Sequence, residues 1–151
     1  MRTTILSIDL VEAALRSESL RDRTRDELER AAHDYERFLE LASHAPGPLA
    51  PTLAIDEMWH LHMLHPVAYH RDCTRLFGKI LDHDGGFGLD PAELPALGQA
   101  FERTASLWQQ RFGEPYGGDS SPDLRACWHN CQSRCWHACS SKVDMLELTT
   151  A

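Results

Sequence analysis

At 151 residues the chain is of single-domain size, and its net charge of −8 excludes the basic footprint with which a nucleic-acid binder neutralises phosphate. No apolar run reaches about 18 residues, which excludes a membrane-spanning helix as an expectation. The N-terminal apolar patch is broken by Asp9 and Glu12 and has no signal-peptide core, so a cytoplasmic protein with reduced thiols is expected.

Ile8, Val11, Ala14 and Leu15 recur at helical spacing and predict a helix within residues 8–20. Leu28, Ala31, Ala32, Tyr35, Phe38, Leu39 and Ala42 form one apolar stripe and predict a second over 22–43. The stretch HAPGPLAPT, from His44 to Thr52, must be a loop. Thr52 then caps a helix carrying LAIDEMWHLHMLH, and Pro66 either kinks it or opens the next one at its first turn. That helical stretch ends near Gly78. After the DHDGGFG loop, Asp90 or Pro91 opens a helix to about Phe112, with Leu94, Leu97, Phe101, Ala105 and Trp108 on one side. GEPYGGDSSPD is a further loop, and a short helix is expected for the Cys/His segment beyond it. No strand pattern is visible, so the expected fold is all-α, a single compact bundle of four to six helices with Gly/Pro-rich loops. Residues 1–126 form the expected helical domain, and 127–151 a Cys/His-rich C-terminal segment.

The chemistry concentrates in two places. In WHLHMLHPVAYH, His60, His62, His65 and His70 lie within eleven residues. At about 100° per residue, His60 and His62 stand about 200° apart and cannot hold one ion from one helix. Asp56 and Glu57 precede His60 by four and three residues, so either carboxylate can share an ion with His60 or hold its other ring nitrogen. Trp59, His62, Pro66, Tyr69 and Cys73 share a wedge of about 80°, but His62 and Cys73 are roughly 16 Å apart along a straight helix. A site here therefore needs ligands from elsewhere, and His83 and the C-terminal cysteines are the suppliers in view.

The second place is CWHNCQSRCWHAC. Cys127, Cys131, Cys135 and Cys139 recur every fourth residue, a slanted thiol ridge on a helix. His129 and His137 lie on another face of such a helix, so each C-W-H-x-C unit can put both ligand types on one ion only if it is not helical. This is not the C-x-x-C knuckle of a zinc ribbon. Thiolates at this spacing suit Cu(I), or half of a zinc site completed from another helix. A redox role, thiols packed as small hydrophobes and a modified core peptide remain alternatives.

The stretch PTLAIDEMWHLHMLHPVAYHRDCTRLFGKILDHDGGFG, with the pattern D-x-x-W-H-x-H-x-L-x-P-x-x-Y-x-x-D-C, resembles the central motif of the glycine-rich domain-containing protein-like family. Asp56, Trp59, His60, His62, Leu64, Pro66, Tyr69, Asp72, Cys73, Gly78, Leu81 and Asp82 fit it. FERTASLWQQRFGEPY is similar to a second family motif, and YERFLELASHAPGPLAPT to the approach to the first. The likeness spans about residues 28–127 and reads as a short bacterial member. It implies no particular activity, but it adds weight to Asp56, His60, His62, Tyr69 and Cys73, less to His83, and removes it from His65 and His70.

Three functions are therefore expected to compete. One is a metal-binding protein or metalloenzyme, with His60, His62, Cys73, His83 and the C-terminal cysteines and histidines as ligands. In it, Asp56 or Glu57 is a base and Tyr69 a proton donor. Zinc is the first expectation for the ion, with copper and iron as alternatives. The second is a thiol buffer for Cu(I) or zinc centred on the C-W-H-x-C repeats. The third is a non-catalytic helical module for a protein or peptide partner, or a component of modified-peptide biosynthesis.

Overall fold

The computed structural model describes residues 4–84, 87–88 and 90–117; the segment 127–151, with the helix and ligands expected there, lies outside the described residues. The fold is all-α, with helices at Leu10–Leu15 (α1), Arg25–His44 (α2), Leu53–Met63 (α3), Pro66–Phe77 (α4) and Leu94–Phe112 (α5). A single 3-10 turn, Pro91–Glu93, leads into α5.

Local chemistry accounts for most of these boundaries. Asp9 caps α1 by accepting from the Val11 and Glu12 amides. Thr24 and Glu27 form a reciprocal capping box on α2. Thr52 accepts from the Ile55 amide at the start of α3. Pro66 occupies the first turn of α4, so it starts a new helix and does not kink the old one. Gly78 and Gly113 end α4 and α5 in the left-handed conformation, at φ 71° and 72°. The first helix is shorter than the periodicity predicts. Ser17 donates to the Ala14 carbonyl and accepts from the Leu20 amide, and these local bonds divert the backbone into turns. The second begins at Arg25 because its cap is Thr24.

Packing is centred on α3. α2 lies against it along Leu28, Tyr35, Phe38 and Leu39, all essentially inaccessible, and α1 and α4 cover other faces. Ile55, Met58, Trp59, Leu61 and His62 are all buried, so α3 is enclosed on most sides, as its weak amphipathicity requires. α5 joins through Trp108 and through a fastening of the 45–52 loop. The Ala50 amide donates to Thr104 Oγ1 at 2.9 Å, and Tyr116 Oη donates to the Ala50 carbonyl at 2.9 Å. Both peptide groups of a buried loop residue are thus matched by side chains of α5 and the turn after it.

Thr104 is itself wholly buried, so Thr104→Val keeps the shape and leaves the Ala50 amide without a partner. The expected loss is about 1–3 kcal/mol in urea unfolding, with the helical circular dichroism of the folded state unchanged.

Candidate functional site: a buried aspartate between two histidines

α3 turns Asp56 and His60, one turn apart, toward the loop that follows α4. His83 comes from that loop. Its Nε2 lies 2.9 Å from Asp56 Oδ1. His60 Nδ1 lies 2.8 Å from the Asp56 carbonyl and 3.2 Å from Asp56 Oδ2, so its proton is shared between backbone and carboxylate. The two imidazoles pack with ring centroids 4.6 Å apart, and the Trp59 and His83 ring centroids lie 4.5 Å apart with the planes inclined at 67°. The ligand atoms of Asp56, His60 and His83 all lie within 4.8 Å of one another. Among the described residues this is the one such group of three. The Asp56 side chain is 7% exposed and that of His83 3%, whereas His60 at 30% gives the site its opening to solvent.

Electrostatics follow from this geometry. Burial alone would raise the Asp56 carboxyl, but hydrogen bonds from His60 and His83 outweigh it and hold the group below the usual aspartate range. The same contact with Asp56, working against partial burial, lifts His60 above the ordinary histidine value.

The other face of α3 carries a second polar group. His62 is fully buried. Its Nδ1 lies 3.0 Å from Tyr35 Oη, and its Nε2 lies 3.3 Å from Asp72 Oδ2, near enough for an ion pair but not aligned as a hydrogen bond. Tyr35 donating to Nδ1 places the ring proton on Nε2, toward Asp72. Burial dominates the titration of His62 and pushes it below the ordinary histidine value, against the pull of Asp72 toward the charged form. Asp72, raised by burial on its own, is brought down by the Ser7 amide and hydroxyl and by Arg75. It ties the N-terminal segment to α4.

The remaining candidates sit apart from the three-residue group. Glu57 accepts from Arg23 Nη2 at both carboxylate oxygens, at 2.9 and 2.8 Å, and its half-burial raises its carboxyl. Tyr69 donates to the Leu81 carbonyl at 2.5 Å and accepts from Trp59 Nε1 at 2.9 Å. Cys73 is buried beside Tyr69 and Leu81, and desolvation pushes its thiol up, away from the thiolate that binds metals. His62 is outside the group because two residues of helix turn it to the opposite face; Cys73 is outside because Pro66 restarts the helix and Cys73 follows α4 into the core. Cys127, His129, Cys131, Cys135, His137 and Cys139 are outside the described residues. In the sequence Tyr35 is marked only as a member of the core stripe of its helix, and its link to His62 is not visible there. Its position opposite a helix bearing a buried histidine is a tertiary fact, without a local signal.

Fold and site together define a small helical domain in which a central helix and one loop converge on a buried carboxylate flanked by imidazoles. Residues 3–72 match the model of the family described as glycine-rich domain-containing protein-like. Glycine-rich domain-containing protein 1 of Arabidopsis thaliana is 39% identical over 66 residues, 44% of this chain and 8% of that protein. Glycine-rich domain-containing protein 2 of the same plant is 38% identical over the same length, with the same coverage. The chain thus aligns with about 8% of the length of these relatives. No solved structure matches. The family match takes in Asp56, His60, His62, Tyr69 and Asp72 and ends before Cys73 and His83.

Asp56→Asn removes the charge that shifts His60, so the His60 ring resonances, followed by NMR, titrate above about 6.5 in the wild type and move down in the variant. Asp56 contributes stability in full above about pH 4, lost as pH falls through its lowered folded value. His60 contributes in full below about pH 6.5, lost as pH rises through its raised folded value. The wild-type advantage over Asp56→Asn in urea unfolding is therefore largest between about pH 4 and 6.5 and shrinks on both sides.

Proposed function

We propose that this chain is a metal-binding helical protein related to the glycine-rich domain-containing protein-like family, whose ion is held by Asp56, His60 and His83. One observation carries the reading: three ligand atoms from a buried aspartate and two histidines lie within 4.8 Å of one another. The donor chemistry fits. Tetrahedral zinc with bonds of about 2.0–2.2 Å separates its ligand atoms by roughly 3.3–3.6 Å, inside the 4.8 Å within which one atom of each residue lies. Asp56 now turns Oδ2 to His60 at 3.2 Å and Oδ1 to His83 at 2.9 Å, and an ion would take the place of the protons held there. Two imidazoles and one carboxylate suit zinc, with Fe(II) as the second choice; Cu(I) prefers thiolates, which this group lacks.

A zinc ion bound there would supply Lewis-acid polarisation and lower the pKa of a coordinated water. The chain's own contribution is threefold. Asp56 is kept ionised by its partners. Trp59 packs His83 edge-on. His60 is the most exposed of the three, and a fourth ligand or a substrate would enter on its side.

Protein purified without a histidine tag is expected to contain or take up close to one equivalent of zinc by elemental analysis. His83→Ala and Asp56→Asn lower its affinity more than about a hundredfold, beyond the 10–100-fold typical of residues that only support a ligand. Less than about a tenth of an equivalent of zinc, iron or copper, with no uptake on reconstitution, overturns the reading. Replacing Cys127, Cys131, Cys135 and Cys139 together by Ser separates the two metal readings: unchanged binding leaves the site to the helical domain, and lost binding assigns the ion to the C-terminal thiols.

A further inference from the structure

We propose that Tyr69 is the positioning residue that brings His83 to Asp56, an inference that rests on the metal-site reading above. His83 is the one member of the group that no helix holds; it lies in the segment between Gly78 and Asp90. Ordering a loop costs backbone entropy, so something must hold this one in register. The Tyr69 hydroxyl does so. It is buried, donates to the Leu81 carbonyl at 2.5 Å, and accepts from Trp59 Nε1 at 2.9 Å. Leu81 is itself buried, two residues before His83.

The circuit closes on the same tryptophan. Trp59 gives its indole N–H to Tyr69 at one end and meets the His83 ring at 4.5 Å. It stands three residues after Asp56, on the helix that supplies both other ligands. Tyr69 thus couples α4, the core of α3 and the His83 loop through one oxygen that acts as donor and acceptor at once. No proton leaves that oxygen in this role: its hydrogen is committed to a backbone carbonyl. Tyr69 then acts through His83 and does not touch the ion.

The test titrates ZnCl2 and CoCl2 into full-length wild-type protein, Tyr69→Phe and the site-remote, destabilised Thr104→Val. Tyr69→Phe is expected to weaken zinc binding 10–100-fold and to reduce the visible Co(II) absorption as coordination by His83 is lost, while Thr104→Val binds as the wild type does. Zinc affinity in Tyr69→Phe within twofold of wild type overturns the proposal, as does an equal loss in Thr104→Val. If the wild type takes up no metal, the metal-site reading falls. Positioning is then read in the metal-free protein from the nuclear Overhauser contact between the Trp59 indole and the His83 ring. Its loss in Tyr69→Phe supports the proposal, and its persistence overturns it. Should Tyr69→Phe not fold, hydrogen exchange at Trp59 Nε1–H in the wild type decides: zinc slows it if clamp and site are coupled, and an unchanged rate overturns the coupling.

Discussion

A buried carboxylate must be matched, and the match made for Asp56 organises this protein. The charge sits on the central helix, where transfer from water without partners would cost more than a small domain can offset. Two imidazoles provide the match, one from the next turn of the same helix and one from a loop beyond the following helix. The first is local and follows from spacing. The second obliges α4 to end at Gly78 and the chain to return across Trp59.

The same helix shows two ways of placing a histidine in a protein interior. His60 keeps an edge in water and is drawn toward its charged form by Asp56. His62, two residues on, is enclosed by Tyr35, Tyr69 and Asp72 and is driven toward its neutral form by burial. The first environment suits a group that exchanges a proton for an ion. The second suits a group that links elements: His62 joins α3 to α2 through Tyr35 and faces Asp72 of α4, which in turn holds Ser7. Removing the Tyr35 hydroxyl would take away the hydrogen bond at the buried His62 Nδ1.

The comparisons divide the candidate site. The family match runs through α1 to α3 and most of the way along α4, and includes Asp56 and His60. His83 and the Leu81 carbonyl that positions it lie beyond the matched residues. The matched part of this chain thus contains its carboxylate–histidine pair on one helix together with the Trp59–Tyr69 hydrogen bond. The third member comes from a loop outside the matched residues.

Much of the architecture was legible in the residues. Thr24 with Glu27, Thr52, Pro66, Gly78 and Gly113 mark helix ends by chemistry that acts within a few residues. The opposite facing of His60 and His62, and the pairing of Asp56 with His60, follow from helical geometry alone. Hidden from the sequence was everything that depends on which faces meet. Tyr35 reads as one more apolar-stripe residue until α2 lies across α3 and its hydroxyl meets His62. Cys73 reads as a ligand until α4 carries it into the core beside Leu81, where desolvation keeps the thiol protonated. His83 reads as a loop histidine until Tyr69 holds Leu81. By itself the sequence determined the helices, their caps and the local carboxylate–histidine pair, because these are set by bonds and angles between near neighbours. Only the tertiary structure decided which of many candidate ligands meet, because that depends on how separate helices bury their faces against one another.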